Sequence, residues 1–158
     1  MSHLSLKLSY KITETSFRRE VVDSVKKVYG LDIGKGYLYR VLTLFKSRDF
    51  WIGPFPMVYD TGAVISLLPL RFFKILNLEK FASVKLTGIS PEMEIPARLV
   101  RATLRFIDLK GLKSPEIEAW VAIAEREDVP LIIGLKNIAE THEFTVNFRD
   151  RSFSLTFY

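Results

Sequence analysis

Met57-Val58-Tyr59-Asp60-Thr61-Gly62-Ala63 carries an apolar run up to a single carboxylate, then a hydroxyl and a glycine. A second apolar run, Val64-Ile65-Ser66-Leu67-Leu68-Pro69, follows at once. An acid held between two hydrophobic segments is expected at the end of a buried strand, where its ionisation is perturbed. Asp-Thr-Gly is also ordinary turn chemistry, and the bare tripeptide reads as a strand followed by a turn. The apolar flanks on both sides argue for more than a turn. Well downstream, Leu131-Ile132-Ile133-Gly134 is a short, wholly apolar run closed by a glycine. Such a run suits a buried strand, and the glycine permits close approach of another backbone or an unusual dihedral.

Val58-Tyr59-Asp60-Thr61-Gly62-Ala63 resembles the active-site loop of aspartic proteases: two apolar residues, Asp-Thr-Gly or Asp-Ser-Gly, then Ala. The continuation to Leu67-Leu68-Pro69 is similar to the small, retroviral-type (retropepsin-like) members. Leu131-Ile132-Ile133-Gly134 resembles the segment that packs beneath the catalytic loop in that family. Leu135-Lys136-Asn137-Ile138 and His142-Glu143-Phe144-Thr145-Val146-Asn147-Phe148 resemble the closing part of the cellular, DNA-damage-inducible-type members. In viral members an arginine often follows the glycine and pairs with an acid just after the catalytic motif. Leu135 and Val64 hold those positions here, which points toward the cellular type. The resemblance covers residues 36–158.

The composition is compatible with that reading. A chain of 158 residues fits one domain with a substantial core, and 48% hydrophobic with 26% charged residues describes a globular protein. No run approaches the roughly 18 apolar residues of a membrane span. The first ten residues alternate rather than forming a leader block, so a cytoplasmic protein without a membrane partner is expected. There is no cysteine, which excludes disulfides, thiolate metal sites and cysteine nucleophiles. The two histidines, His3 and His142, are expected at the surface, so neither a Ser-His-Asp triad nor a histidine metal site is supplied. No metal and no cofactor is expected. The net charge of +5 is dispersed, without a basic run of five, which argues against nucleic acid.

Elsewhere, periodicity gives the elements. Residues 4–11 alternate, with Leu4, Leu6, Leu8 and Tyr10 on one side, as a half-buried strand does. Thr13, Thr15 and Ser16 offer N-caps for an amphipathic helix. Phe17, Val21, Val22, Val25, Val28 and Tyr29 form its stripe, and Gly30 is its stop. That stripe is expected to cover the barrel of its own subunit, with a partner surface as the alternative. Residues 37–46 read as one central strand. Gly53-Pro54-Phe55-Pro56 bends the return strand toward Asp60. Residues 70–78 and 135–141 read as short helices. Residues 83–89 and 97–107 read as a hairpin, 116–124 as a strand, and the chain ends in a hairpin rich in Phe. An all-β barrel with short helices follows: a family-like core at 36–158 and an N-terminal strand–helix extension at 1–35, within a single domain of 1–158.

The resemblance then implies a mechanism and roles. The 83–107 hairpin corresponds to the flap over the substrate, with Gly88 and Ile89 near a tip that carries Ser90-Pro91-Glu92 rather than glycines. Proline there restricts the backbone. Asp60 is the implied catalytic acid or base, with Thr61, Gly62 and Ala63 supporting its loop. Ile89, Ile132 and Ile133 are the implied apolar pocket walls. The chain has one Asp-Thr-Gly and is too short for two lobes, so the implied partner is a second copy in a C2 homodimer. Residues 152–158 are expected as an edge strand that joins the two copies. The implied activity is aspartic endopeptidase action on extended or unfolded polypeptide. A dimer of the same fold that binds extended peptides without turnover is the alternative.

Overall fold

The computed structural model describes residues 4–90 and 93–158. The chain opens with β1 (Leu6–Lys11) and β2 (Thr13–Ser16), helix α1 (Arg19–Tyr29) and β3 (Lys35–Leu38). Next come β4 (Arg40–Ser47), β5 (Phe50–Tyr59), β6 (Ser66–Leu68) and helix α2 (Arg71–Ile75). Then β7 (Ala82–Ser90), β8 (Met93–Ile107), β9 (Ile117–Ala124) and β10 (Ile132–Ile133) follow. A 3-10 turn (Ala139–Thr141) precedes the closing strands β11 (Glu143–Asn147) and β12 (Ser152–Phe157).

Six strands close a barrel in the order β4-β5-β10-β6-β9-β8, with β8 returning to β4 and β7 extending outward from β8. The expected all-β barrel with short helices is what forms. Its inner face follows from period-two alternation: Val100, Ala102, Leu104 and Phe106 of β8 are buried, and Arg101 and Arg105 point outward. Phe45, Phe72, Phe106 and Phe153 are among the largest fully buried side chains, each contributing about 2–3 kcal/mol of burial. A second, smaller core joins Leu67, Ile95, Ala97, Ala122, Ala124 and Val129 at the end of the barrel that carries Asp60. At Gly53 the backbone takes φ +122°, and a Cβ would stand 2.8 Å from the Thr43 carbonyl oxygen. Only glycine fits there, where the β4–β5 register shifts between Thr43 and Phe45.

Several expectations need correction. Thr13, Thr15 and Ser16 are not caps: they lie in β2, paired with β3, and α1 starts from the Arg18 carbonyl without a side-chain cap. Alternating, β-branched residues favour that ribbon over a helix start. The run 37–46 is two strands rather than one. It breaks at Tyr39, whose ring packs edge-on against Phe144 and Phe153. Helix α1 does not cover the barrel, because none of its residues is buried and Val28 and Tyr29 are more than 70% exposed. Leu4 is likewise exposed. The segment 135–141 forms a turn and only one 3-10 turn, with Asn137 at φ 64°.

The terminal strands form a separate three-stranded sheet in the order β1-β12-β11. β12 is therefore central and paired on both sides, and the expectation of an edge at 152–158 is overturned. The free edges of this sheet are β1 and β11. Leu8 and Tyr10 of β1 sit in the main core, and the expected boundary at residues 35 and 36 falls inside β3. β2, α1 and β3 project from the rest. They are held by Glu14, which pairs with Lys35 and Arg151, and by the edge contact of Tyr37 with Phe148.

Candidate active site

β5 delivers Asp60 to the open end of the barrel, one residue after its last strand position. The short strand β10 fixes that end from below. It runs parallel to β5, pairing Ile132 with Val58 and Ile133 with Tyr59, and antiparallel to β6 through Leu67. The Asp60 amide donates to the Ile133 carbonyl at 2.9 Å. Farther along the loop, the amides of Leu135 and Lys136 donate to the carbonyls of Ala63 and Val64 at 3.0 and 2.9 Å. The loop 60–65 is thus stitched at both ends to the segment around Gly134.

Gly134 is required by this crossing. A Cβ there would stand 2.3 Å from the carbonyl carbon of Ile65 and 2.5 Å from its oxygen. Both neighbours are backbone and cannot give way. The Gly134 amide donates to the buried Ser66 hydroxyl at 2.9 Å, so the contact is satisfied as well as close. Of the two readings of this glycine, close approach rather than an unusual dihedral is the one that applies. Ser66 was not singled out by sequence, since a lone serine in an apolar run carries no signal of its partner.

The Asp60 carboxylate is half-buried, and its Oδ1 accepts the Gly62 amide at 2.9 Å. Thr61 and Gly62 are exposed, and Ala63 is half-buried. The carboxylate opens into a cleft of about 490 Å³ whose walls include Val64, Leu67, Leu86, Thr87, Pro130 and Ile132. Ile132 stands where a pocket wall was expected. Ile133 does not: alternation along β10 turns it into the main core, where it is 1% exposed. Gly88 and Ile89 lie within β7, the strand that brings Leu86 and Thr87 to the cleft. Pro91 and Glu92, and with them the expectation about the hairpin tip, lie outside the described residues. Leu86, Thr87 and Pro130 were missed because only the tertiary crossing brings them near Asp60.

His142 is the other correction. It is not a surface residue but half-buried against the rings of Phe106 and Phe157, 6.2 and 5.0 Å between centroids. Its Nε2 lies 2.7 Å from the Tyr59 hydroxyl. Burial lowers the His142 pKa from 6.5 to about 4 and raises that of Tyr59 to about 12. His3 lies outside the described residues. Among the described residues, no helix is long and apolar enough to cross a membrane.

No protein-family model and no curated protein matches the chain. Among solved structures, a retropepsin-like aspartic protease from Rickettsia conorii is similar over 99% of this chain and 97% of its own, at 11% sequence identity and a TM-score of 0.49.

Proposed function

We propose that the chain is an aspartic endopeptidase of the retropepsin-like class, nearer the cellular, DNA-damage-inducible type, and that it works as a C2 homodimer. One observation carries this reading. A single half-buried carboxylate, Asp60, is tethered through the Gly62 amide at the mouth of an apolar cleft. Val64 and Leu135 support the cellular type: in place of an arginine–acid pair, the Leu135 amide donates to the Ala63 carbonyl and the Lys136 amide to the Val64 carbonyl.

Across a twofold axis, the two Asp60 carboxylates stand close together. At about 3 Å separation they cannot both ionise, so they share one proton. The ionised member takes a proton from a bound water, and the protonated member donates to the peptide carbonyl oxygen. The water oxygen bonds to the carbonyl carbon. The carboxyl that took the water's proton then passes it to the nitrogen as the C–N bond breaks, and one hydroxyl of the tetrahedral species returns its proton to the other carboxylate as the carbonyl re-forms. Thr61, exposed beside Asp60, bonds across to the facing loop, and Ala63 holds the loop to the segment after Gly134. Ile132, Leu86 and Val64 line the cleft and favour hydrophobic residues at the cut. Gly88 and Ile89 belong to the strand that covers the substrate, and the bound polypeptide is extended, bonded through its backbone.

The test is cleavage of a denatured protein mixture between pH 3 and 8 by wild type and by Asp60→Asn. Cuts made by wild type and lost in Asp60→Asn are the expected result. Equal cleavage by both would remove Asp60 from the chemistry. No cleavage by either, with both dimeric, would leave a peptide-binding dimer.

A further inference from the structure

Tyr59, immediately before Asp60, is 4% exposed, and both of its ends are held. Its amide donates to the Tyr39 carbonyl at 2.7 Å, and its ring stacks on Phe144 with centroids 4.7 Å apart and planes 9° apart. Its hydroxyl meets His142 Nε2 at 2.7 Å. The other ring nitrogen of His142, Nδ1, lies 2.9 Å from the Thr141 hydroxyl oxygen. That hydroxyl in turn lies 2.7 Å from the Ile138 carbonyl oxygen.

The direction of every proton in this chain follows from its last member. A carbonyl only accepts, so the single Thr141 proton goes to Ile138. The Thr141 oxygen must then accept, so His142 Nδ1 carries a hydrogen and donates it. A neutral imidazole has one N–H, which leaves Nε2 as an acceptor and the Tyr59 hydroxyl as the donor. The buried states agree with this order: at neutral pH His142 is uncharged and Tyr59 is protonated. The groups facing His142 are the Tyr59 hydroxyl from β5, Phe106 from β8 and Phe157 from β12. Beside it on the chain, Glu140 and Glu143 are exposed, and Glu143 accepts from the Tyr158 hydroxyl at the surface.

We infer that Tyr59 and His142 are positioning residues for Asp60: a one-directional hydrogen-bond chain, Tyr59 to His142 to Thr141 to Ile138, locks the end of β5 to the turn before the terminal sheet and so sets where the carboxylate points. Tyr59 faces the core and Asp60 the cleft, as successive strand residues do. A ring fixed at its backbone and at its hydroxyl leaves the next residue little rotational freedom. Placement of this kind matters because a shift of about 1 Å in a reacting group can cost about 100-fold in rate. The inference rests on the proposed protease reading only for its consequence in turnover. The geometry of the lock stands apart from it.

The experiment uses the full chain with ¹⁵N-labelled histidine, the His142 signals being assigned by their loss in His142→Phe. At neutral pH, His142 is expected as the Nδ1–H tautomer, the less common form of a free imidazole. Thr141→Val, which removes the far acceptor and leaves Tyr59 untouched, should shift it toward Nε2–H. In Tyr59→Phe, amide exchange at Asp60 to Gly62 should quicken about tenfold, the size of one lost hydrogen bond. In the same variant kcat should fall about tenfold with KM unchanged, the mark of lost positioning rather than lost binding. His142→Gln with Tyr59 intact, which keeps an acceptor for the Tyr59 hydroxyl, should leave both near wild type. An Nε2–H tautomer in wild type, or unchanged exchange at Asp60 to Gly62 in Tyr59→Phe, would overturn the lock. If wild type cleaves nothing yet the tautomer and exchange behave as stated, the protease reading fails and the lock stands. If wild type cleaves and Tyr59→Phe cleaves with an unchanged kcat, the protease reading stands and the positioning role of Tyr59 fails.

Discussion

Strand β10 and helix α1 sit at opposite extremes of packing. β10 is two residues long, is bonded on both sides and supports the loop that bears Asp60. Helix α1 is eleven residues long, carries an apolar stripe and has no buried residue. The helix has the stronger sequence signal and the weaker structural role. The difference lies in where the partner atoms come from. An amphipathic stripe states only that one face prefers to be covered. A short apolar run ending in Gly134 sits where another backbone passes within contact distance, and there the residue type itself is dictated.

That contrast can be broken or sharpened by substitution. The largest effect is expected at Gly134. Gly134→Ala pushes a methyl group into the Ile65 backbone, which has no room to move, and should cost about 3 kcal/mol or more. A denaturant midpoint within error of wild type would show that the crossing is looser than described. Ser66→Ala removes the acceptor of the Gly134 amide in a buried setting and should cost about 1–3 kcal/mol in the same assay.

Acid should weaken the region around His142. Between its ordinary pKa of 6.5 and its folded value of about 4, the unfolded chain binds a proton there that the folded chain refuses. Stability is therefore complete above about pH 6.5 and declines as pH falls toward about 4. Because the ring is only partly shielded, the loss should amount to about 1–2 kcal/mol after solvent screening. His142→Phe should flatten this decline in thermal melts taken across that range, and an identical decline in the variant would assign it to other groups. The smallest effect is expected in the helix. Val28→Asp, at a position 71% exposed, should change stability by less than about 0.5 kcal/mol. A larger loss would show that the stripe of α1 is covered in solution.

Much of the barrel was legible because it depends on local rules. Periodicity gave most of β8 and β9 as strands, and glycine and proline marked the bend before Asp60. Asp60 at a strand end was legible from the apolar runs that flank it, and Gly134 as a close approach from its place after a buried apolar run. What escaped depends on contacts between distant parts of the chain. His142 reads as polar among Glu140, Thr141 and Glu143, yet Phe106 and Phe157 bury it from other strands. Ile132 and Ile133 are chemically alike, and only the pleat of β10 sends one to the cleft and the other to the core. β12 looked like an edge because its Phe residues gave no hint that β1 and β11 would flank it.

In the proposed mechanism two Asp60 carboxylates meet across a twofold axis. The direct measurement is peptide cleavage after wild type and Asp60→Asn are unfolded together in equal amounts and refolded, beside wild type alone at the same total concentration. Random re-pairing leaves roughly a quarter of the dimers with two Asp60 carboxylates. The account predicts activity near a quarter of the wild-type value. Activity near half, in proportion to the wild-type chains present, would mean that each Asp60 acts alone, and activity near three quarters that one per dimer suffices; either would contradict the shared site.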